Sequence, residues 1–188
     1  MRYYFFCDAA PPPQDVLDGG VFWKTAASYG VNAMDTVQPH DDLRGYYLEE
    51  LSVGMTAAYA KTITEADILM YAGVSGDTNP IHLNEEFAQQ SMFKGRIAHG
   101  MLSSSLISTV FGTKLPGPGA VYLKQELRFL APVRIGDTVE ARVHILDIIL
   151  EKNRVVAQTV CKVGDKNVVE GQALLFVPSA PAMKAAAE

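Results

Sequence analysis

Residues 99–111 read HGMLSSSLISTVF, and this stretch limits the folds that the chain can adopt. Its large apolar side chains fall on most sides of a helix, and the remaining positions carry the small side chains of Ser103, Ser104, Ser105 and Ser108. A helix that is apolar nearly all round is normally buried, and small side chains let neighbouring elements approach it closely. The sequence therefore predicts a central helix that other elements surround.

The segments that follow this helix supply strands that can surround it. In residues 138–148 apolar and polar side chains alternate, a period of two that is typical of a strand with one buried face. Long strands in succession after a helix favour an antiparallel sheet and the α+β class, rather than alternating α/β. We therefore predict a curved antiparallel sheet wrapped around one buried helix, with further strands over residues 55–63, 120–130, 154–163 and 167–177.

Local signals refine this outline. Thr64 is predicted to cap a helix with Asp67 at its third position, and a second short helix is predicted to run from Asn84 through Gln90. Residues 164–166, Gly-Asp-Lys, predict a hairpin turn. For residues 120–130 the alternation predicts a buried face made of Val121, Leu123, Leu127 and Phe129.

The composition is that of one folded domain. The 188 residues carry 16 Lys+Arg and 21 Asp+Glu, a formal net charge of −5, and 48% are hydrophobic. The acidic balance argues against a nucleic-acid partner, because phosphate binding requires a basic surface. Two distant cysteines make neither a disulfide framework nor a CxxC pair, and no apolar run approaches the ~20 residues that cross a bilayer. We expect a cytoplasmic protein with no membrane partner.

Three regions are expected along the chain. Residues 1–45 are rich in proline and glycine and lack sustained periodicity, which predicts a partly ordered N-terminal extension. Residues 46–177 carry the regular patterns and form the predicted domain. Residues 178–188 are predicted to be a flexible tail.

The densest cluster of reactive side chains holds Asp77 and His82, five residues apart. Neither a helix nor a flat strand brings side chains at this spacing together. Pro80 disfavours a helical Asn79, and Gly76 permits unusual backbone angles, so the sequence predicts a turn that lets the two side chains meet. A carboxylate and an imidazole in contact form a general acid/base pair. The alternative is a structural loop in which Asp77 caps backbone N–H groups.

The residues around this cluster resemble a known family. Residues 71–82 (YAGVSGDTNPIH), 97–102 (IAHGML), 115–119 (LPGPG) and 129–137 (FLAPVRIGD) are similar to the signature of the MaoC-like dehydratases, in the branch of the (R)-specific enoyl-CoA hydratases. The resemblance spans about residues 46–177. It implies a hot-dog fold and the syn addition of water across a trans-2-enoyl thioester, or the reverse dehydration.

The resemblance also implies roles for individual residues. Asp77 and His82 are expected to bind the attacking water, and the Gly100 N–H to donate a hydrogen bond to the thioester oxygen. Unpaired N–H groups at a helix N-terminus suit that second task, since the helix dipole adds positive potential there. Ser108 is expected to support Asp77, although without the family a hydroxyl bonded to its own helix is the better interpretation. His99 is interpreted as a structural residue at the helix start.

The substrate's coenzyme A carries phosphates, so cations are expected at the mouth of the site. Lys94, Arg96 and Lys124 are the candidates, and each is equally consistent with ordinary surface charge. The resemblance further implies a homodimer. No bound cofactor is expected beyond the coenzyme A that the substrate carries, and His40 and His144 have no metal-ligand spacing.

Two other functions stay open. A hot-dog thioesterase would attack the carbonyl carbon and commonly carries an acid on its central helix, whereas residues 101–111 contain no Asp or Glu. A non-catalytic module that binds acyl thioesters is the second alternative, and the presence of both Asp77 and His82 argues against it.

Overall fold

The computed structural model describes residues 44–180. The predicted N-terminal extension (1–45) lies almost entirely outside the described residues, as does most of the predicted tail (178–188). Within residues 44–180, no helix is long and apolar enough to cross a membrane. The helices are α1 (Glu65–Ser75), α2 (Pro80–Leu83), α3 (Glu85–Gln90) and α4 (Gly100–Thr113), and the strands are β1 (Thr56–Thr62), β2 (Val121–Phe129), β3 (Thr138–Ile149), β4 (Arg154–Val163) and β5 (Lys166–Phe176).

The five strands form one antiparallel sheet in the order β1-β3-β4-β5-β2. The predicted α+β class is confirmed, because four helices precede the strands that build most of the sheet. The turn between β4 and β5 is a two-residue hairpin, in which Val163 pairs with Lys166 and Gly164 adopts a φ of 55°. Positive φ at this position suits the turns that match strand twist.

Helix α4 packs one face against the sheet, where it buries Leu106, Ile107 and Val110. The facing residues of β3 include Val139 and Val143, which are fully buried as their alternation predicts. The predicted arrangement of an antiparallel sheet against one central helix is confirmed, and in the single chain one stripe of α4 stays exposed. That stripe consists of Met101, Ser105, Ser108 and Gly112.

Strand β2 differs from its predicted pattern. Its pairing with β5 shifts register between Tyr122 and Lys124, which leaves Leu123 in a β-bulge. A bulge adds one residue to the strand and so reverses the faces on either side of it. Val121 and Leu123, which the alternation places in the core, are therefore exposed, whereas Leu127, beyond the bulge, is partly buried against the core as predicted. Phe129 has the same parity as Leu127 and is exposed where the strand ends.

Polar and aromatic side chains of β2 take the inward positions instead. Tyr122 packs edge-on against Phe111 of α4, with ring centroids 5.3 Å apart. The Gln125 amide donates to the hydroxyl of the buried Thr159 at 3.0 Å, which satisfies that buried oxygen. The alternation of side chains along the sequence cannot predict this arrangement, because the bulge depends on how β2 pairs with β5.

The helical segments before α4 bear out the capping signals. Thr64 accepts a hydrogen bond from the Asp67 N–H at 3.3 Å, and the Asp67 carboxylate accepts from the Thr64 N–H at 2.9 Å, which is a capping box. Helix α3 begins after Asn84 as predicted. Helix α2 was not predicted. Pro80 occupies its first position, where the missing proline N–H costs nothing.

Gly171 offers a test of the sheet geometry. A Cβ at this position in β5 would lie 1.8 Å from the main-chain oxygen of Glu126 in β2. We expect Gly171→Ala to lower the free energy of unfolding by about 1–3 kcal/mol or more, since the strands must separate locally. Gly73→Ala is the matched control, because no atom lies within 4 Å of its Cβ position and alanine favours a helix. Urea unfolding of both variants measures the difference, and equal stabilities would contradict this register.

Candidate active site

A cavity of about 520 Å³ opens beside the N-terminus of α4. Its walls come from α1, the loop before α2, the segment before α4, and the end of β2 with the loop that follows. Most lining residues are apolar, among them Ile97, Leu130 and Val133. The polar side chains that line it belong to Tyr71, Ser75, Asp77, His82, His99 and Ser103.

The loop between α1 and α2 brings Asp77 to this cavity. Gly76 ends α1 in the left-handed conformation, with a φ of 74°, as the sequence predicts. The Asp77 carboxylate accepts a hydrogen bond from the Asn79 N–H at 3.2 Å, and the Asn79 side chain accepts from the Ile81 N–H at 3.1 Å. These side-chain to backbone bonds hold a tight turn. The turn leaves the Asp77 side chain exposed at the cavity wall.

Asp77 and His82 meet across this turn. One Asp77 carboxylate oxygen and one ring nitrogen each of His82 and His99 lie within 4.8 Å of one another. His82 is buried, and its Nδ1 lies 2.8 Å from the carbonyl oxygen of Ile97. A carbonyl can only accept, so Nδ1 carries a hydrogen and the neutral ring has its lone pair on Nε2. The site therefore holds a carboxylate and a basic imidazole nitrogen side by side.

Burial lowers the pKa of His82 below its ordinary value of 6.5, because a charged ring loses its hydration. The neighbouring His99 lowers this pKa further, whereas the Ile97 carbonyl and the Asp77 carboxylate raise it. The net direction is downward. His82 is therefore neutral and able to accept a proton at pH 7.

His99 lies between the other rings of the site. It is 1% exposed, and its Nε2 lies 2.9 Å from the main-chain oxygen of Asp77. Its ring centroid is 3.8 Å from that of His82 and 4.9 Å from that of Tyr71. The backbone of His99 lies at the helix start, as the sequence predicts. The sequence did not predict the contacts of its side chain.

Gly100 begins α4 at the cavity wall. The first N–H groups of a helix have no intrahelical partner, and no side chain caps this helix end. A Cβ on Gly100 would lie 2.7 Å from Cε1 of Phe129. Only glycine lets the Phe129 ring lie this close to the start of α4. The ring therefore occupies part of the space beside Gly100 that was expected to admit the substrate.

Ser108 lies away from this cluster. It is exposed on α4, does not line the cavity, and within residues 44–180 makes no hydrogen bond to Asp77. The physical reason is distance, since eight residues of helix separate Ser108 from Gly100 by about 12 Å. Among the serines of α4, Ser103 lines the cavity, and its buried hydroxyl has no hydrogen-bond partner within the described residues. The sequence signal for Ser103 is its position four residues after His99, which places the two side chains on the same face of a helix.

The three predicted cations differ in their surroundings. The Arg96 guanidinium contacts the carboxylates of Glu65 and Glu85, which neutralise it and raise its pKa. Lys124 lies 2.6 Å from a Glu126 carboxylate oxygen. Lys94 is exposed next to residues that line the cavity, and within residues 44–180 it has no carboxylate partner at 4.0 Å or less.

The grouping of Asp77, His82 and His99 also contains donor atoms that Zn²⁺ accepts. One nitrogen of each ring, however, faces a main-chain carbonyl oxygen, His82 Nδ1 at 2.8 Å and His99 Nε2 at 2.9 Å. These nitrogens carry hydrogens and cannot bind a metal ion in this state. The cluster is better shaped to hold a water between Asp77 and His82.

Comparison with known proteins assigns the chain to a family. The family description "MaoC like domain" matches residues 51–171. The chain belongs to the MaoC-like dehydratase family. It is 54% identical to an (R)-specific enoyl-CoA hydratase of Rhodospirillum rubrum over 139 residues, which cover 74% of this chain and 96% of the relative. It is 50% identical to a 3-hydroxybutyryl-CoA dehydratase of Methylorubrum extorquens, with 73% and 87% covered.

A solved structure supports the same assignment. The unliganded (R)-hydratase PhaJ1 from Pseudomonas aeruginosa matches this MaoC-like chain with a TM-score of 0.68 and 44% identity, over 72% of this chain and 88% of that one. The chain therefore has the hot-dog fold that the sequence resemblance implies.

The contact between Gly100 and Phe129 can be tested by a double-mutant cycle. We expect Gly100→Ala to destabilise the protein by about 1–3 kcal/mol, because the added methyl group overlaps the Phe129 ring. Phe129→Ala in the same chain should remove most of that loss, giving a coupling energy above about 0.5 kcal/mol. Chemical unfolding of the four proteins measures this energy. Additive effects would show that the ring does not lie against Gly100.

Proposed function

We propose that this protein catalyses the reversible syn addition of water to a trans-2-enoyl-CoA, which gives an (R)-3-hydroxyacyl-CoA. The observation that carries the proposal is the meeting of Asp77 and His82 in an apolar cavity at the N-terminus of α4. The names of the relatives, an (R)-specific enoyl-CoA hydratase and a 3-hydroxybutyryl-CoA dehydratase, support the same chemistry in its two directions. An enzyme catalyses both directions, so the names are consistent.

The pair can activate one water. In this mechanism the water donates one hydrogen bond to His82 Nε2 and the other to the Asp77 carboxylate, two atoms close enough for a single water to bridge. As the water oxygen bonds to the β-carbon, its proton passes to Nε2, and the Asp77 carboxylate stabilises the imidazolium that forms. The same proton then moves to the α-carbon. Both additions occur on one face, which is a syn addition, and the ring returns to its neutral form.

The electrons of the carbon–carbon double bond move onto the thioester oxygen while the β-carbon is attacked. We assign the stabilisation of that oxygen to the Gly100 N–H, which begins α4 without a side-chain cap. The helix dipole places positive potential at this end. A comparable backbone donor contributes about 3–4 kcal/mol to transition-state stabilisation in other enzymes.

The reaction adds or removes water without a change of electron count, so we propose no cofactor beyond the coenzyme A of the substrate. Among the predicted cations, Lys94 is our candidate for the coenzyme A phosphates. It follows Met92 and Phe93, which line the cavity, whereas Arg96 and Lys124 are bound to carboxylates.

We infer that the protein works as a homodimer, as the family resemblance implies. Apolar side chains around the cavity stay exposed in the single chain, notably Met92, Met101, Phe129 and Leu130. Strand β2 lies at an edge of the sheet and also exposes Val121 and Leu123. A second copy is the partner that would cover them. A cytoplasmic location stays a prediction from the cysteine content and composition.

A thioesterase remains the second candidate, and the site supports it less well. Helix α4 carries no Asp or Glu that could attack or activate water at the carbonyl carbon. Within residues 44–180 a thiol nucleophile is also unsupported, since burial raises the pKa of Cys161 to about 12 and the thiol stays protonated.

Substitution of the pair tests the proposal. We expect Asp77→Asn and His82→Gln each to lower kcat for crotonyl-CoA hydration by ~100-fold or more, because general acid/base catalysis is lost. Asp165→Asn, in the β4–β5 turn, and His144→Gln, on β3, are the matched controls and should retain full activity. Loss of enoyl absorbance measures hydration. Free thiol release would indicate a thioesterase, and binding without either change would indicate a non-catalytic module.

The pH profile provides a separate test. Protonated His82 cannot accept a proton, and its pKa lies below 6.5. Activity should therefore persist as the pH falls to 6.5 and decline only at lower pH, when His82 becomes charged. The acidic limb of log kcat/KM against pH measures this midpoint, with stability checked at each pH. A midpoint above 6.5 would be inconsistent with a buried, neutral His82 as the base.

A further inference from the structure

His99 occupies the N-cap of α4, but its side chain does not cap the helix. Ser, Thr, Asp and Asn are preferred at this position because their oxygens accept hydrogen bonds from the first N–H groups. His99 makes no such bond, although it is 1% exposed and lies at the start of the buried helix. A buried residue that departs from a local preference indicates a requirement elsewhere in the structure.

The first contact of its ring is with the backbone of the catalytic loop. His99 Nε2 lies 2.9 Å from the main-chain oxygen of Asp77, and since that oxygen can only accept, Nε2 carries the hydrogen. The other hydrogen bonds of Asp77 within residues 44–180 are local, with Ser75 and Asn79. The bond from His99 is therefore the one that ties Asp77 to α4.

The second contact is with the ring of the catalytic histidine. The His82 and His99 rings are stacked, with centroids 3.8 Å apart and 32° between their planes. The edge of His82 is held by the Ile97 carbonyl at 2.8 Å, so His99 supplies the support on its face. One side chain thus contacts both members of the pair.

The surroundings of His99 also determine which ring nitrogen carries the hydrogen. Its Nδ1 is buried and has no hydrogen-bond partner within the described residues. A hydrogen on Nδ1 would be a buried donor without an acceptor, which is costly, whereas a hydrogen on Nε2 is accepted by the Asp77 carbonyl. The ring also covers the face of His82 and excludes water there.

We propose that His99 is the positioning residue of this site, holding the Asp77 backbone by its Nε2–H and the His82 ring by stacking. The inference rests on the proposed hydratase activity for its kinetic consequences and on the histidine geometry alone for its spectroscopic ones. His99 makes no bond to reacting atoms in this role. The titratable side chains that line the cavity are Tyr71, Asp77, His82 and His99, and the first turn of α4 carries no acid.

Two variants separate the two contacts. His99→Phe retains a ring against His82 and removes the donor to Asp77, so we expect kcat to fall by ~10-fold while KM stays at its wild-type value. His99→Gln retains an N–H donor and removes the ring. Water then reaches His82, its burial decreases, and the acidic midpoint should move upward.

His144→Gln is the matched control, because His144 lies on β3 and does not line the cavity. It should leave kcat, KM and the midpoint unchanged. If both His99 variants fold and keep the wild-type kcat and midpoint, or if both change only KM, His99 is not a positioning residue.

Histidine ¹H–¹⁵N correlation spectra of the wild-type protein test the inference without any measurement of activity. His99 should appear as the neutral Nε2–H tautomer and His82 as the Nδ1–H tautomer at pH 7, with resonances assigned from the variants. A charged His99, or the opposite tautomer at either ring, overturns the proposal. These spectra also distinguish it from a failure of the proposed function, which would leave the wild-type protein inactive on enoyl-CoA while the tautomers stay as described.

Discussion

The burial of α4 against the sheet is the constraint on which the site depends. Ile107 and Val110 hold the helix on β3, so the position of its N-terminus is set by the core and not by the loops around it. The first N–H groups of a helix have no intrahelical partner, and the first two residues of α4, Gly100 and Met101, line the cavity. Gly100 fits there because a larger residue would meet Phe129.

A balance of burial and polarity characterises the catalytic pair. His82 is buried and its pKa is lowered, yet it keeps a hydrogen bond to Ile97 that fixes which nitrogen is basic. Asp77 lies at the other extreme, exposed on a turn at the cavity wall. The two environments suit Asp77 and His82 to different roles in the reaction. His99 contacts both residues, through a hydrogen bond to the Asp77 backbone and through its ring against the His82 ring.

The open face of the single chain is consistent with this arrangement. Among the residues that α4 and β2 expose, Met101 and Phe129 line the cavity. Ser108 belongs to that exposed stripe of α4, so its surroundings in an assembly would differ from those in the chain alone. The bulge at Leu123 has the same effect on β2, since it turns apolar side chains outward at the edge of the sheet.

The sequence by itself determined the elements and the turn. The alternation in β3, the capping box at Thr64 and the signals at Gly76 are local, because they depend on residues close in the chain. It also determined that Asp77 and His82 can meet, since a short turn with Pro80 leaves few alternatives.

Only the tertiary structure decided which face of β2 is buried and which serine of α4 lines the cavity. It also decided that the His99 ring contacts both catalytic residues. Each of these depends on pairing or packing between segments distant in the chain, such as the 22 residues that separate His99 from Asp77. Side-chain period and propensity contain no information about such contacts. The charge of Arg96 is a similar case, because the carboxylate of Glu65 that neutralises it lies 31 residues away and approaches only when α1 has packed.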